Sequence, residues 1–248
     1  MQNNFYFLGN FSNIYKKPSK TSEVTSQIIY GEKFKILSKN KNWIKIKTSF
    51  DNYKGFIKNS NYVNKFSPNY KVNTIKARIF KKPGIKTNNW LPLASKLSFL
   101  EKNKNYIKIE NNKWVKKTDI KKLTHKEKNF VKILKKFLNV KYVWGGKTFK
   151  GIDCSGLLQI FFCYNNSFYP RDTKDQIKFT KKNLKKKKFK KGDIIFWKGH
   201  VAICLNSKQL IHAYGPEKKV IIMPIIETIN RIQRTAKLKV KKISKIKY

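Results

Sequence analysis

The sequence predicts an α+β protein: two small antiparallel β-barrels, then a larger domain that combines helices with an antiparallel sheet. Three observations predict it. The first half repeats itself, and each copy alternates apolar and polar residues in short runs. An amphipathic helical run opens the second half. Beyond it, a glycine-rich loop leads straight into an apolar stretch, followed by strand-like runs that carry two of the three histidines.

The repeat comes first. NIYKKP (13–18) returns as RIFKKP (78–83), 65 positions on. YGEKFKIL (30–37) aligns with LASKLSFL (93–100), and KNWIKI (41–46) with KNYIKI (104–109), both at an offset of 63. GFIKNSNYV (55–63) resembles NKWVKKTDI (112–120). Such drift is that of loops differing in length, so two units are expected at 1–66 and 67–122. Runs such as Trp43, Ile44, Ile46 and Tyr106, Ile107, Ile109, separated by Asn, Gly and Pro clusters, read as strands of small barrels. Their order resembles the bacterial SH3 domain. Copy one carries Tyr30-Gly31-Glu32, Trp43 and Tyr53-Lys54-Gly55-Phe56-Ile57. Copy two is degenerate, with Ser95 in place of the Glu and the second motif lost.

The third region, 123–248, opens on a helix. Thr124 with Glu127 three residues on is a capping-box pattern, and Phe130, Ile133, Leu134, Phe137 and Leu138 follow on one face. His125 falls in its first turn and reads as a solvated surface residue. Next come Gly145, Gly146 and Gly151, which mark a loop of unusual backbone angles. Asp153-Cys154-Ser155-Gly156 then enters the apolar run Leu157–Phe162. Cys154 is thus expected in the first turn of a helix, where free N–H groups and a partial positive charge favour a thiolate. A thiolate nucleophile needs a base, and the base an orienting partner. His200 and His212 lie twelve residues apart on strand-like runs, a spacing that suits adjacent antiparallel strands. Spacing alone leaves open one Cys and two His in an ordinary core. Cys163 and Cys204 sit in apolar stretches and read as inert core residues.

Composition narrows the function classes. The 248 residues carry a formal net charge of +45, from 58 Lys and Arg against 13 Asp and Glu. A nucleic-acid binder is the obvious reading. Only four of the basic residues are Arg, however, and the Lys is spread along the whole chain. Bidentate phosphate and base contacts favour Arg. Lys (54), Asn (25) and Ile (29) are abundant together, which points to AT-rich codons and a biased surface. Specific nucleic-acid binding is not expected, although polyanion affinity at low salt is. Three cysteines without a CxxC pair give neither a disulfide framework nor a zinc-finger spacing. No metal or cofactor is expected. No apolar run approaches the ~18 residues of a membrane span. MQNNFYFLGNFSNIYKK lacks a basic n-region with an apolar core behind it, so a cytoplasmic chain is expected.

The motifs of the second half resemble the NlpC-type papain-like cysteine peptidases, which cleave peptide bonds in murein. The matching blocks are YVWGG (142–146), GIDCSGL (151–157), PRDTKDQ (170–176), GDIIF (192–196), GHVAI (199–203) and IHA (211–213). The resemblance implies a papain-like α+β cysteine peptidase domain behind two small SH3-like β-barrels. It implies Cys154 as nucleophile, His200 as base and His212 as the orienting third residue. With the SH3-like units ahead, the chain is similar to the γ-D-glutamyl-L-diamino-acid endopeptidases (dipeptidyl-peptidase VI). These take murein peptides with a free N-terminal L-Ala. The resemblance then implies an ammonium pocket drawn from Asp153, Tyr142, Ser155 and Thr173, closed by Glu32 and Tyr53. A surface Glu and a core Tyr are the alternatives for the last two. Tyr142 is also a candidate oxyanion donor beside the Cys154 N–H.

Arg171 and Asp172 have two readings: contact with the D-Glu α-carboxylate, or an ion pair or turn cap shaping the loop before a helix at 173–180. The second is preferred. The run at 181–191 reads as a solvated loop, and 237–247 as a final strand. The murein peptide is the expected partner, with oligomeric state open. Rival classes are a hydrolase or binding module of intact wall, and a basic nucleic-acid binder.

Overall fold

The computed structural model describes residues 4–180 and 188–247. Much of the Lys run at 181–191 lies outside the described residues. The chain packs as two compact units. One runs through Lys126 and takes in Tyr164–Asn166; the other comprises Glu127–Cys163 and the described residues from Ser167 on. The architecture is α+β, with several antiparallel sheets first and the helix-bearing domain after them.

In the first unit the sequence repeat reappears as topology. The first copy orders its strands Val24–Ile29, Phe11–Tyr15, Lys54–Lys58, Trp43–Thr48, Lys33–Asn40. The second copy has the same order, in Ile85–Pro92, Lys76–Lys82, Lys113–Lys116, Tyr106–Glu110 and Glu101–Lys102. Each copy has its own core: Phe7, Ile14, Phe34, Ile44, Ile46 and Ile57 in the first, Val72, Ile79, Leu91, Ile107, Ile109 and Val115 in the second. These are the alternate residues of the strands, as one buried sheet face requires.

The Tyr30-Gly31-Glu32 motif joins the two copies. Tyr30 packs in the second core, its hydroxyl donates to Glu110, and its carbonyl accepts Lys96 N–H at 3.0 Å. Gly31 has φ +76°, and a Cβ there would lie 2.2 Å from the Lys96 carbonyl oxygen. Only glycine fits such an approach.

The second unit contains helices α1 (Phe130–Lys135), α2 (Cys154–Tyr164), α3 (Thr173–Phe179) and α4 (Ile225–Ala236). Its sheet contains β1 (Asp193–Trp197), β2 (His200–Cys204), β3 (Gln209–Tyr214), β4 (Lys219–Pro224) and β5 (Lys242–Lys245), ordered β4-β3-β2-β1-β5 and antiparallel throughout. Every residue of β1 is buried, which explains the unbroken apolar run IIFW. The final strand falls at the sheet edge as β5. Among the described residues, no helix is long and apolar enough to cross a membrane.

Two local expectations are corrected. Thr124 does not cap α1. The cap is Asn129, whose side chain accepts Val131 N–H at 3.3 Å, and Glu127 instead accepts Asn129 N–H at 2.9 Å. The helix starts late because Asn129 N–H, which would close a first turn from Thr124, goes to the Glu127 carboxylate, and the His125 carbonyl that would accept it is taken by Lys71. It also ends early. Phe137 and Leu138 follow α1 on i→i−3 hydrogen bonds, and Asn139 turns left-handed at φ +64°. His125 is half-buried rather than solvated, with its carbonyl accepting from Lys71 and its ring edge-on to Tyr164.

Candidate active site

Cys154 is the first residue of α2, and Asp153 caps that helix. The Asp153 carboxylate accepts Gly156 N–H at 2.6 Å, the standard reach from a cap to the third helical residue. Gly145, at φ +74°, turns its N–H to the other carboxylate oxygen at 2.9 Å. A Cβ on Gly156 would meet the Gly146 carbonyl oxygen at 2.5 Å, so the loop can lie this close only against glycine.

Arg171 completes the anchor. Its two terminal nitrogens bond both Asp153 oxygens, at 2.9 and 2.6 Å, and also reach Ser155 Oγ and the Gly146 carbonyl at 2.9 and 3.2 Å. The pair is buried, with the side chains 1% and 8% exposed. Of the two readings of Arg171, the structure therefore shows the ion pair. Gln176 Nε2 ties α3 to this junction through the Ser155 and Pro170 carbonyls, at 3.0 and 2.9 Å. The resemblance implies an ammonium partner in Asp153. In the structure five donors converge on its carboxylate, Ser155 Oγ included, and it anchors the loop that leads into Cys154.

The other candidates distribute as follows. Thr173, first in α3, has its Oγ1 3.9 Å from Cys154 Sγ. Sγ is also 3.9 Å from the Gly199 carbonyl and receives a backbone hydrogen bond at Val201. The residues on either side of His200 thus both touch the sulfur. His200 begins β2 and His212 lies on the adjacent β3, where their Nε2 and Nδ1 atoms meet at 2.9 Å. His212 stacks on Tyr214, with ring centres 4.6 Å apart and planes 12° apart. Tyr142 is half-buried; burial raises its phenol pKa, with further contributions from Cys154 and Asp153, so the hydroxyl is a protonated donor near both.

Glu32 and Tyr53 belong to the first unit. Glu32 is buried and accepts Ile29 N–H at 2.8 Å, so it is no surface residue. Tyr53 packs against the first core and donates to the Thr25 carbonyl at 3.4 Å.

The electrostatics run against the simple helix-terminus argument. Burial, then the Asp153 charge, push the Cys154 thiol up to about 11; Val201, Thr173 and Arg171 pull the other way and lose. Burial takes His200 down to about 4. His212 lies well below the usual range through burial, then the neighbouring His200 and Arg231. A carboxylate cap on α2 offsets the dipole that would otherwise favour a thiolate at Cys154. The resting pair is therefore neutral thiol and neutral imidazole. Asp172 is half-buried, and burial raises its carboxyl. Among the described residues, no three His, Cys, Asp or Glu side chains are grouped to hold a metal ion.

Sequence reasoning missed Gln176 and also Met223, whose Sδ lies 3.3 Å from His212 Nε2. Gln176 lies within PRDTKDQ (170–176), and that position was the signal available in the sequence. Met223 has no local signal at all.

Comparison with known proteins matches residues 139–237 to the NlpC/P60 family and residues 10–64 to the bacterial SH3 domain. A dipeptidyl-peptidase 6 of Lysinibacillus sphaericus is 36% identical over 77 residues, 31% of this chain and 28% of that protein. A γ-D-glutamyl-L-lysine dipeptidyl-peptidase of Bacillus subtilis is 34% identical over 101 residues, 38% of this chain and 34% of that one. The matches thus span about a third or less of those relatives. A crystal structure of an NlpC/P60 family protein from Bacillus cereus shares the fold at TM-score 0.76 and 18% identity, over 90% of this chain and 94% of that one.

Proposed function

Because the chain carries an NlpC/P60 domain behind a bacterial SH3 domain, we propose that it is a cysteine peptidase of murein peptides. It hydrolyses the bond between γ-D-glutamate and the diamino acid in peptides with a free N-terminal L-Ala. The observation that carries the reading is the Cys154 sulfur at a helix N-terminus, touched on both sides of a His200 that is hydrogen-bonded to His212. The dipeptidyl-peptidase names of the two relatives support the bond and the release of a dipeptide.

The reaction follows from the neutral resting pair. His200 takes the thiol proton as Cys154 attacks the γ-carbonyl, so charge develops only as the bond forms. The Cys154 N–H and the Tyr142 hydroxyl donate to the tetrahedral oxyanion. His200 then protonates the leaving amine, and water hydrolyses the thioester. Purified protein is expected to release L-Ala-γ-D-Glu from L-Ala-γ-D-Glu-diaminopimelate, with Cys154→Ala inactive and N-acetylation of the substrate strongly inhibitory. Equal cleavage by Cys154→Ala sinks the reading, and indifference to the acetyl group removes the free-amine requirement.

We extend the reading to recycling of freed wall peptides in the cytoplasm, where peptides with an unblocked amine would be met. Fractionation of cells carrying a C-terminally tagged protein tests it. A periplasmic or wall-bound pool overturns it.

A further inference from the structure

Met223 lies on β4, two residues along from Ile221, the partner of His212 across the sheet. Side chains two apart on a strand share a face, and Met223 Sδ stands 3.3 Å from His212 Nε2. A thioether accepts a hydrogen bond weakly and donates none. The hydrogen in this contact therefore sits on His212 Nε2. A neutral His212 protonated there has a bare Nδ1, which can only accept. Its partner at 2.9 Å, His200 Nε2, must then be the donor. A neutral His200 protonated on Nε2 keeps its lone pair on Nδ1, the nitrogen that has to receive the thiol proton.

The opposite arrangement is self-consistent between the two rings but fails at both ends. His212 Nδ1–H would donate to His200 Nε2, His200 would carry its proton on Nδ1, and the base would be blocked. His212 Nε2 would then set a lone pair against the lone pairs of Met223 Sδ. The ring plane of His212 is already fixed by its stacking on Tyr214, so the choice between the two arrangements falls to the atom behind Nε2. Met223 is 6% exposed, which leaves little room for water to take over that choice.

We infer that Met223 is a positioning residue: through His212 it selects the tautomer in which His200 Nδ1 is free to accept the Cys154 proton. The inference rests on the reading of His200 as the base, but its primary test needs no substrate.

Nitrogen-15 NMR of the full chain reads the tautomer of each histidine directly. The expected spectrum has both His200 and His212 protonated at Nε2. Protonation of His212 at Nδ1 in the wild type overturns the proposal. Met223→Leu keeps the side-chain bulk and removes the acceptor; it is expected to raise the Nδ1–H population of His212 and to lower kcat about two- to tenfold, the range of one hydrogen bond, with KM unchanged. Met223→Gln offers an oxygen to Nε2–H and is expected to restore both. Unchanged tautomers in Met223→Leu also overturn the proposal. A wild type with the expected tautomers that cleaves no murein peptide defeats the proposed function and leaves Met223 standing.

Discussion

Cys154 and His200 are shifted from their ordinary pKa values in opposite directions, each toward its neutral form, and the consequence is a pH profile unlike that of an exposed thiol and imidazole. His200 is held down to about 4 by burial, so it stays an unprotonated base until the pH falls through that value. The acid limb of kcat/KM, which reports the free enzyme, is therefore expected near 4 rather than near the ordinary histidine value of about 6.5. The thiol is pushed up to about 11, so alkylation by iodoacetamide should keep accelerating toward that pH, without a plateau at neutrality. A plateau between 6 and 8 would mean a preformed thiolate–imidazolium pair and would contradict the neutral resting state. Burial dominates both shifts, and the second contribution to the thiol's comes from Asp153, which sequence reasoning assigned to a substrate ammonium. Its position beside Cys154 was legible. Its commitment to Arg171, 18 residues further along the chain, was not.

At the scale of elements, the helix starts separate what local pattern shows from what packing imposes. The α2 start was legible because glycine, a capping Asp and an apolar run are contiguous. The α1 start was misread, since both Thr124 and Asn129 are good caps and only the partners taken by Asn129 N–H and the His125 carbonyl decide between them. Asn129→Ala is expected to cost about 1 kcal/mol of stability. Thr124→Ala should stay within about 0.5 kcal/mol of wild type. Urea midpoints at constant m measure both; a larger loss at Thr124 would restore the sequence-based cap. Helix α4 was missed although its pattern was available. Ile225, Ile229 and Ile232 fall at helical spacing, and Ile225, Thr228 and Ile232 are buried. The charged residues interleaved with them masked the stripe.

For the whole molecule, +45 remains the largest single number in the sequence, and its expected consequence is unspecific. Duplex DNA is expected to bind at 50 mM salt, to be lost by about 200 mM, and to show equal affinity for unrelated sequences, as counterion release alone dictates. A sequence preference that survives at 200 mM would revive the nucleic-acid reading. The sequence by itself determined the repeat, and with it a strand order shared by both copies, because alternation and turn residues are written in neighbouring positions. It also determined a cysteine at a helix start and two histidines on adjacent strands, for the same reason. Tertiary structure alone decided that Asp153 is spent on Arg171, that thiol and imidazole rest neutral, and that a methionine stands behind His212. Those outcomes depend on desolvation and on partners far apart in the chain, and no local pattern encodes either.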